Sequence, residues 1–445
     1  MKYTIITFGC QMNEADSRLM AAVLDQAGWE EGRTAAEADL IVVNTCSVRE
    51  KPEQKVRSLL GELRAEKEAR PRTVLAVVGC MAQSQGARLV KRAPYVDLVL
   101  GTRCFHRIGE AVERLQRGER PVVITDLDDD PATLRCEMEM GRQLRAFVPV
   151  ILGCTNFCSY CLVPHVRGKE TSRPLAQIVA EVETLVRRNT REVTLLGQNV
   201  LAYGRDLRDR STFEGLLPRL NEIEGLWRIR FTTCHPRDVT PGLIGALRLP
   251  KVCEHLHLPI QAGTDKLLRE MNRGYTVAEY RATVEALRAG VPDLAITTDI
   301  MVGFPGETDE DYAESLRVYQ ELGFGAAFMF AYSERPGTAA AERADQVPRE
   351  LRIARLNRLI EMQNRITRDR NAAEVGRVAE VLVEGPAEKG EGLLAGKTRQ
   401  NKQVVFPGPA ELIGRLVQVR LVEAELWGFR GSDLRSDTTH RESPP

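Results

Sequence analysis

Neither sign of charge is in excess in this sequence: its 445 residues carry 62 Lys and Arg against 62 Asp and Glu. A chain without net charge offers nucleic acid no global field, so any basic binding surface has to be local. Long hydrophobic runs are missing too. No apolar stretch approaches the roughly 20 residues that cross a bilayer. The opening segment Met1–Cys10 lacks the apolar run and small-residue cleavage site of a secretory leader, and reads as a strand. The expectation is a cytoplasmic protein with no membrane contact. In that setting the ten cysteines read as metal ligands or buried thiols rather than as disulfides.

What is present suits a soluble globular chain, with 43% hydrophobic and 28% charged residues, and the length predicts two to four domains. The first third alternates short apolar strands (Tyr3–Phe8, Leu40–Asn44, Val74–Val78, Leu98–Gly101) with amphipathic helices (Glu14–Ala27, Lys51–Ala69, Gln83–Ala93, Phe105–Arg117). That alternation predicts a parallel α/β sheet. A connector with Pro121, the acidic run Asp126–Asp130 and Pro131 interrupts it, with room for one strand at Val122–Thr125.

A second series then begins, with strands at Phe147–Leu152, Glu192–Leu196, Arg228–Thr232, Leu256–Pro259, Ile296–Val302 and Ala326–Tyr332. Six βα units predict a partial (β/α)6 barrel rather than a closed eightfold one. After a charged helix at Arg349–Arg370, short runs at Val378–Val383, Gln403–Phe406 and Leu416–Leu421 predict a small β-barrel. Ser432–Pro445 reads as a disordered tail. The fold class is α/β, with domains expected at 1–117, 143–372 and 373–432, a connector at 118–142 and a tail at 433–445.

Two sets of cysteines carry the chemistry. Cys154, Cys158 and Cys161 form a C-x3-C-x2-C loop directly after an apolar strand, at the strand end where β/α barrels gather their active sites. A cubane [4Fe–4S] cluster normally takes four thiolates. Three leave one iron open, as a catalytic metal requires, and that iron could chelate S-adenosylmethionine. A structural zinc loop is the rival, but zinc favours paired C-x2-C arrangements. The second set is Cys10, Cys46 and Cys80, each ending an apolar strand, with separations of 36 and 34 residues. Strand ends of one parallel sheet would bring three thiols to its carboxyl edge, as a second cluster site. The rival reading is that cysteine simply packs well there. Cys104, Cys136, Cys234 and Cys253 show no such spacing and read as ordinary thiols.

These residues carry a resemblance. The C-x3-C-x2-C loop resembles that of radical SAM enzymes. With Pro164, Arg167-Gly168 and Ser172-Arg173-Pro174, the stretch Cys154–Pro174 is similar to the methylthiotransferases among them. The resemblance spans nearly the whole chain and makes the last β-rich segment similar to a TRAM domain, an RNA-binding module. Gly9-Cys10-Gln11-Met12-Asn13 and Asn44-Thr45-Cys46-Ser47 resemble the branch that acts on N6-dimethylallyladenosine in tRNA.

The resemblance implies two [4Fe–4S] clusters, S-adenosylmethionine as cosubstrate, and methylthiolation of C2 of the adenosine beside the anticodon. Cys154, Cys158 and Cys161 would hold the cluster that cleaves S-adenosylmethionine to a 5′-deoxyadenosyl radical. Cys10, Cys46 and Cys80 would hold the cluster whose open iron carries the sulfur. The expected partners are tRNA, an electron donor such as a flavodoxin, and a sulfur or cluster-assembly donor, with the enzyme a monomer. Alternatives are a methylthiotransferase for threonylcarbamoyl-adenosine or for a ribosomal-protein aspartate, and, outside catalysis, an iron–sulfur RNA-binding sensor.

Weaker signals fill in the pocket. Gly303 and Gly306, after the strand Ile296–Val302, resemble a contact to the adenosine of S-adenosylmethionine, or form a tight βα turn with Thr308 as helix cap. Gln198 and Asn199 end a barrel strand and are expected in the cofactor pocket, while His257 and Gln261 flank another strand. His235 and His255 read as hydrogen-bonded side chains rather than ligands. Lys397, Arg399 and Lys402 resemble an RNA-contacting loop. Charge alone would not establish it, since Gly376–Arg430 holds eight basic residues against seven acidic ones.

Overall fold

The structure, a computed structural model, describes residues 1–47, 50–127 and 143–434. Most of the expected connector, Cys136 and the tail beyond residue 434 lie outside the described residues. The chain divides into two compact units, Met1–Trp227 with Ser333–Ala341, and Arg228–Tyr332 with Glu342–Pro445. The division falls inside the stretch 143–372 that the sequence suggests as one domain.

In the first unit, β1 (Lys2–Thr7), β2 (Glu30–Glu31), β3 (Leu40–Thr45), β4 (Val74–Gly79), β5 (Leu98–Leu100) and β6 (Val122–Ile124) form a six-stranded parallel sheet. Its order is β2-β1-β3-β4-β5-β6, so β1, β3 and β4, the strands leading to the three N-terminal cysteines, are immediate neighbours. Strands β3 and β4 are buried at every position. Leu40, Val42, Ala76 and Val78 pack with Leu19 and Leu24 on one face, while Ile41, Val43, Leu75 and Val77 pack with Val56 and Leu60 on the other. A sheet covered on both faces requires apolar runs without polar alternation, which is how these strands read.

The same unit holds β7 (Arg145–Pro149), β8 (Ile151–Leu152), β9 (Thr171–Ser172) and β10 (Glu192–Leu196). Strands β7 and β10 pair in parallel, whereas β8 and β9 form a short antiparallel ribbon. The single strand expected over 147–152 is thus two, divided after Pro149. Met12 and Ala15 of the helix Gln11–Gln26 pack on Leu152 and Leu196, joining the N-terminal sheet to the strand that feeds the C-x3-C-x2-C loop.

The second unit contains β11 (Arg228–Phe231), β12 (His255–His257), β13 (Ala295–Val302) and β14 (Ala326–Ala331), the last three forming a parallel sheet. Strand β13 alternates half-buried and buried positions, with Thr297, Asp299 and Met301 on the more open side. Beyond the helix Arg349–Ala372, β15 (Val378–Pro386), β16 (Leu393–Thr398), β17 (Gln403–Pro407), β18 (Leu416–Glu425) and β19 (Gly428–Asp433) close into a barrel around Val381, Val404, Phe406 and Phe429. Ser432 and Asp433, which the sequence assigns to the tail, complete β19.

Candidate metal centre

The loop bearing Cys154, Cys158 and Cys161 is closed at its base by the β8–β9 ribbon. The Cys154 amide donates to the Gly168 carbonyl at 3.1 Å, and the Gly153 amide donates to Gln198 Oε1 at 2.6 Å. Gly153 has φ +78°, and a Cβ there would lie 2.0 Å from the Lys169 carbonyl, so the closure requires glycine. The Cys161 amide bonds the Cys158 carbonyl at 2.9 Å, and Val163 donates its amide to Cys161 Sγ at 3.4 Å. All three thiols are half-exposed and outside any disulfide. Three half-exposed thiols on one loop fit a cluster with an unliganded iron.

The loop is gripped from the N-terminal sheet. Arg103, buried just after β5, donates to the carbonyls of Arg167 at 2.9 Å and Lys169 at 2.5 Å and to Thr171 Oγ1 at 3.1 Å, and Thr102 Oγ1 donates to the Val166 carbonyl. Nothing in spacing or periodicity announces these two residues.

Cys10, Cys46 and Cys80 follow β1, β3 and β4. In the paired strands Thr7 is opposite Asn44, and Thr45 is opposite Gly79, so the three cysteines leave one sheet edge together. Two glycines make the approach possible. A Cβ on Gly9 would lie 2.9 Å from Cys46 Cβ, and one on Gly79 would lie 2.4 Å from the Thr45 carbonyl; both glycines have positive φ. A buried network fixes the edge. Asn13 donates to Asn44 Oδ1 and the Thr45 carbonyl, both at 3.0 Å, and Asn44 donates to the Asn13 carbonyl at 2.8 Å and Ser17 Oγ at 2.9 Å. Asn13 Oδ1 also accepts from the Cys10 thiol at 3.3 Å. Cys46 and Cys80 are buried, and Cys10 is exposed. Among the described residues, no three of His, Cys, Asp and Glu converge as ligands of a single ion. A cubane takes each thiolate on a different iron and does not ask for that convergence.

Arg167, at the end of the helix Val163–Arg167, is the link between the two cysteine sets. It is 5% exposed and pairs with Asp16, 2% exposed, at 3.0 Å. Its helix packs on the helix Cys80–Gln85. Burial pushes the Cys80 thiol up, and Arg167 pulls the other way. For Arg167 itself, burial opposes the charge, but Asp16, Cys80 and Cys10 outweigh it and hold the guanidinium protonated.

The other expected pocket residues divide between the units. In the first, Gln198 has its side-chain oxygen committed to Gly153, and Asn199 is buried at the start of a short helix. In the second, Thr308 caps the helix Asp309–Leu322 with a capping box to Asp311, as the turn reading anticipates. Gly303 donates to Glu307 Oε1 at 2.8 Å, and Glu307 pairs with Arg355 at 2.7 Å. Gly303 and Gly306 both have positive φ and are crossed closely by Arg352 and by Arg343 with Asp345. His257 bonds Thr297 Oγ1 through Nδ1 at 3.0 Å and lies 3.5 Å from Asp299, with exposed Phe328 edge-on to its ring. Gln261 accepts the Met301 amide through its carbonyl at 2.9 Å.

The expected RNA loop turns inward. Arg399 makes a two-pronged pair with Glu254 at 2.7 and 2.8 Å and donates to the Val252 carbonyl at 2.6 Å. Lys402 bonds Glu374 at 2.7 Å and Asn371 at 2.8 Å. The carbonyls of Lys397, Thr398 and Arg399 accept from Arg228 and Arg230. Of the unassigned cysteines, Cys104 donates to the Asp126 carbonyl at 3.2 Å, and Cys234 and Cys253 are buried. His235 accepts from the Arg237 amide, and His255 meets Thr297.

Residues 2–101 match the uncharacterized protein family UPF0004, residues 148–318 the radical SAM superfamily, and residues 372–432 the TRAM domain. The chain is 47% identical to the tRNA-2-methylthio-N(6)-dimethylallyladenosine synthase of Moorella thermoacetica, across 96% of this chain and 97% of that one. The enzyme of the same name from Carboxydothermus hydrogenoformans is 44% identical, with 96% and 98% covered. Among solved structures, the radical S-adenosylmethionine methyltransferase TsrM from Kitasatospora setae is similar with a TM-score of 0.56 at 14% identity, covering 76% and 75%. The cobalamin-dependent S-adenosylmethionine radical enzyme OxsB follows with a TM-score of 0.52 at 12% identity, covering 81% and 56%. At such identities these two likenesses show the fold alone.

Proposed function

The chain belongs to the family of tRNA-2-methylthio-N(6)-dimethylallyladenosine synthases, and from that membership we propose that it transfers a methylthio group to C2 of N6-dimethylallyladenosine, at the position beside the anticodon of tRNA. It is a radical SAM enzyme, with S-adenosylmethionine and a [4Fe–4S] cluster as its chemistry. The observation that carries the reading is the full-length likeness to these synthases. When bound, a cluster on Cys154, Cys158 and Cys161 supplies the electron that cleaves S-adenosylmethionine, and a second on Cys10, Cys46 and Cys80 supplies the iron for the sulfur.

The chain's own residues do the holding and orienting. Gly153 and Gln198 close the first cysteine loop, Arg103 and Thr102 clamp its return, and Asn13 with Asn44 fixes the second set. In this reading Asn199 of the first unit, and Gly303 and Gly306 of the second, are each expected contacts of S-adenosylmethionine. Single-stranded loops let a protein splay out and read one base, which suits an adenosine beside an anticodon. The TRAM barrel supplies the RNA-binding surface, with Lys397 as an expected contact, while Arg399 and Lys402 are spent on Glu254 and Glu374. The enzyme works in the cytoplasm as a monomer, with a flavodoxin-like electron donor and a sulfur or cluster-assembly donor. Domains at 1–117, 143–372 and 373–432 divide the labour.

Anaerobically reconstituted enzyme, given a reductant and S-adenosylmethionine, should be offered dimethylallyl-tRNA, threonylcarbamoyl-tRNA and the ribosomal-protein aspartate substrate in parallel. Mass spectrometry is expected to find methylthiolation in the first alone. Product in either of the others would overturn the substrate assignment.

A further inference from the structure

Arg167 has more contacts than holding a loop requires. The residue sits at the end of the helix that follows the C-x3-C-x2-C loop, yet its head group is spent on the other cysteine set. It pairs with Asp16 at 3.0 Å, with both side chains buried, and its helix packs on the helix Cys80–Gln85, whose first residue belongs to that set. Its own carbonyl is held at 2.9 Å by Arg103, so the backbone behind the guanidinium is anchored independently of Asp16. The carboxylate in turn lies on the helix Gln11–Gln26, whose N-cap is Cys10. A buried charge beside a cysteine ligand that cannot relax away is a fixed electrostatic perturbation at that site.

We infer that Arg167 is a positioning residue that sets the reduction potential of the cluster held by Cys10, Cys46 and Cys80, with Asp16 as its counterweight. This rests on the reading that these three cysteines hold a cluster. Reduction adds one negative charge to the cluster. A fixed positive charge beside a ligand sulfur stabilises that reduced state and raises the potential. Asp16 offsets part of the charge, so the two residues act with opposite sign. The arrangement also ties the environment of one cluster to the segment that carries the ligands of the other.

The test uses the full-length protein with Cys154, Cys158 and Cys161 replaced by Ala, so that only the N-terminal set can hold a cluster. Iron and sulfide content, and the paramagnetic resonance signal of the reduced state, are followed during a mediator titration. Arg167→Gln is expected to lower the reduced-to-oxidised ratio at fixed poise at least tenfold, which is about 59 mV for one electron. Asp16→Asn is expected to shift it the other way, and Arg167→Lys to shift it less than tenfold. A merely structural ion pair predicts that losing either partner disturbs the site alike, so shifts of the same sign, or no shift, overturn the proposal. If Arg167→Gln takes up no iron, the opposed directions of Asp16→Asn and Arg167→Lys decide. A parent chain that binds no cluster refutes the two-cluster reading itself, separately from the role of Arg167.

Discussion

Replacing Asn13 by Ala should weaken the first unit and disable one cysteine set while sparing the other. The side chain gives two well-formed buried hydrogen bonds, each 3.0 Å, to Asn44 Oδ1 and the Thr45 carbonyl. At about 1 kcal/mol net for each, plus about 1–2 kcal/mol for stripping the buried Asn44 oxygen of its donor, the loss comes to roughly 3–4 kcal/mol. Cys10 also loses the acceptor that orients its thiol. Denaturant unfolding of the apo-protein should show an earlier transition for the first unit. After reconstitution, iron should fall from roughly eight per chain to roughly four, the content of a single cubane. Cleavage of S-adenosylmethionine should continue, because the C-x3-C-x2-C loop does not depend on Asn13. Unchanged stability with full iron would refute the view that this network, rather than the sheet alone, sets the N-terminal site.

The remaining predictions concern the loop, the barrel and pH. Gly153→Ala puts a Cβ 2.0 Å from the Lys169 carbonyl at a φ of +78°, so 5′-deoxyadenosine formation should collapse with loss of the first cluster; retention of cleavage, read by chromatography, would contradict the closure argument. Arg399→Ala should lower thermal stability by about 1–3 kcal/mol, as the loss of a charge-assisted pair. It should leave the salt slope of tRNA binding unchanged, whereas a phosphate contact would cut that slope by about 1. His255 is held neutral down to about 3, first by burial and then by Arg230, His257 and Lys397. The unfolded chain protonates this imidazole near pH 6.5, so stability is full above about 6.5 and falls as pH drops toward 3. His255→Gln should flatten that decline in pH-dependent unfolding, and an undiminished slope would rule out His255 as its source.

The sequence makes the N-terminal sheet legible because β3 and β4 are built on the apolar runs Leu40–Val43 and Val74–Val78, and β1 on Ile5–Ile6, with a Cys shortly after each strand. Their spacing already places three thiols on one edge. The partners of those thiols are not legible in that way. Asn13 and Asn44 meet across 31 residues, and Asp16 and Arg167 across 151, a pairing that only the folded chain creates. Gln198 reads as a pocket residue from its place at a strand end, yet its oxygen holds the Gly153 amide. The helix expected over 83–93 breaks in two at Gly86, where φ is +48°, a conformation that a helical pattern does not reveal. Strands β16 and β19 escape notice because glycines at 396, 428 and 431 dilute the alternation. Those glycines are needed where neighbouring strands close in: a Cβ on Gly396 would lie 2.3 Å from the Leu382 carbonyl. Lys397, Arg399 and Lys402 look like free basic residues in sequence, but only the structure shows Glu254 and Glu374 waiting for two of them.

The central claim is that the two cysteine sets do different jobs in one reaction. The most direct measurement counts both products, 5′-deoxyadenosine and methylthiolated nucleoside, from anaerobic reactions of the native chain, Cys80→Ala and Cys154→Ala on dimethylallyl-tRNA. The native chain should yield both, Cys80→Ala 5′-deoxyadenosine alone, and Cys154→Ala neither. Methylthiolated adenosine from Cys80→Ala, or loss of 5′-deoxyadenosine in a Cys80→Ala chain that keeps its first cluster, would contradict that division of labour.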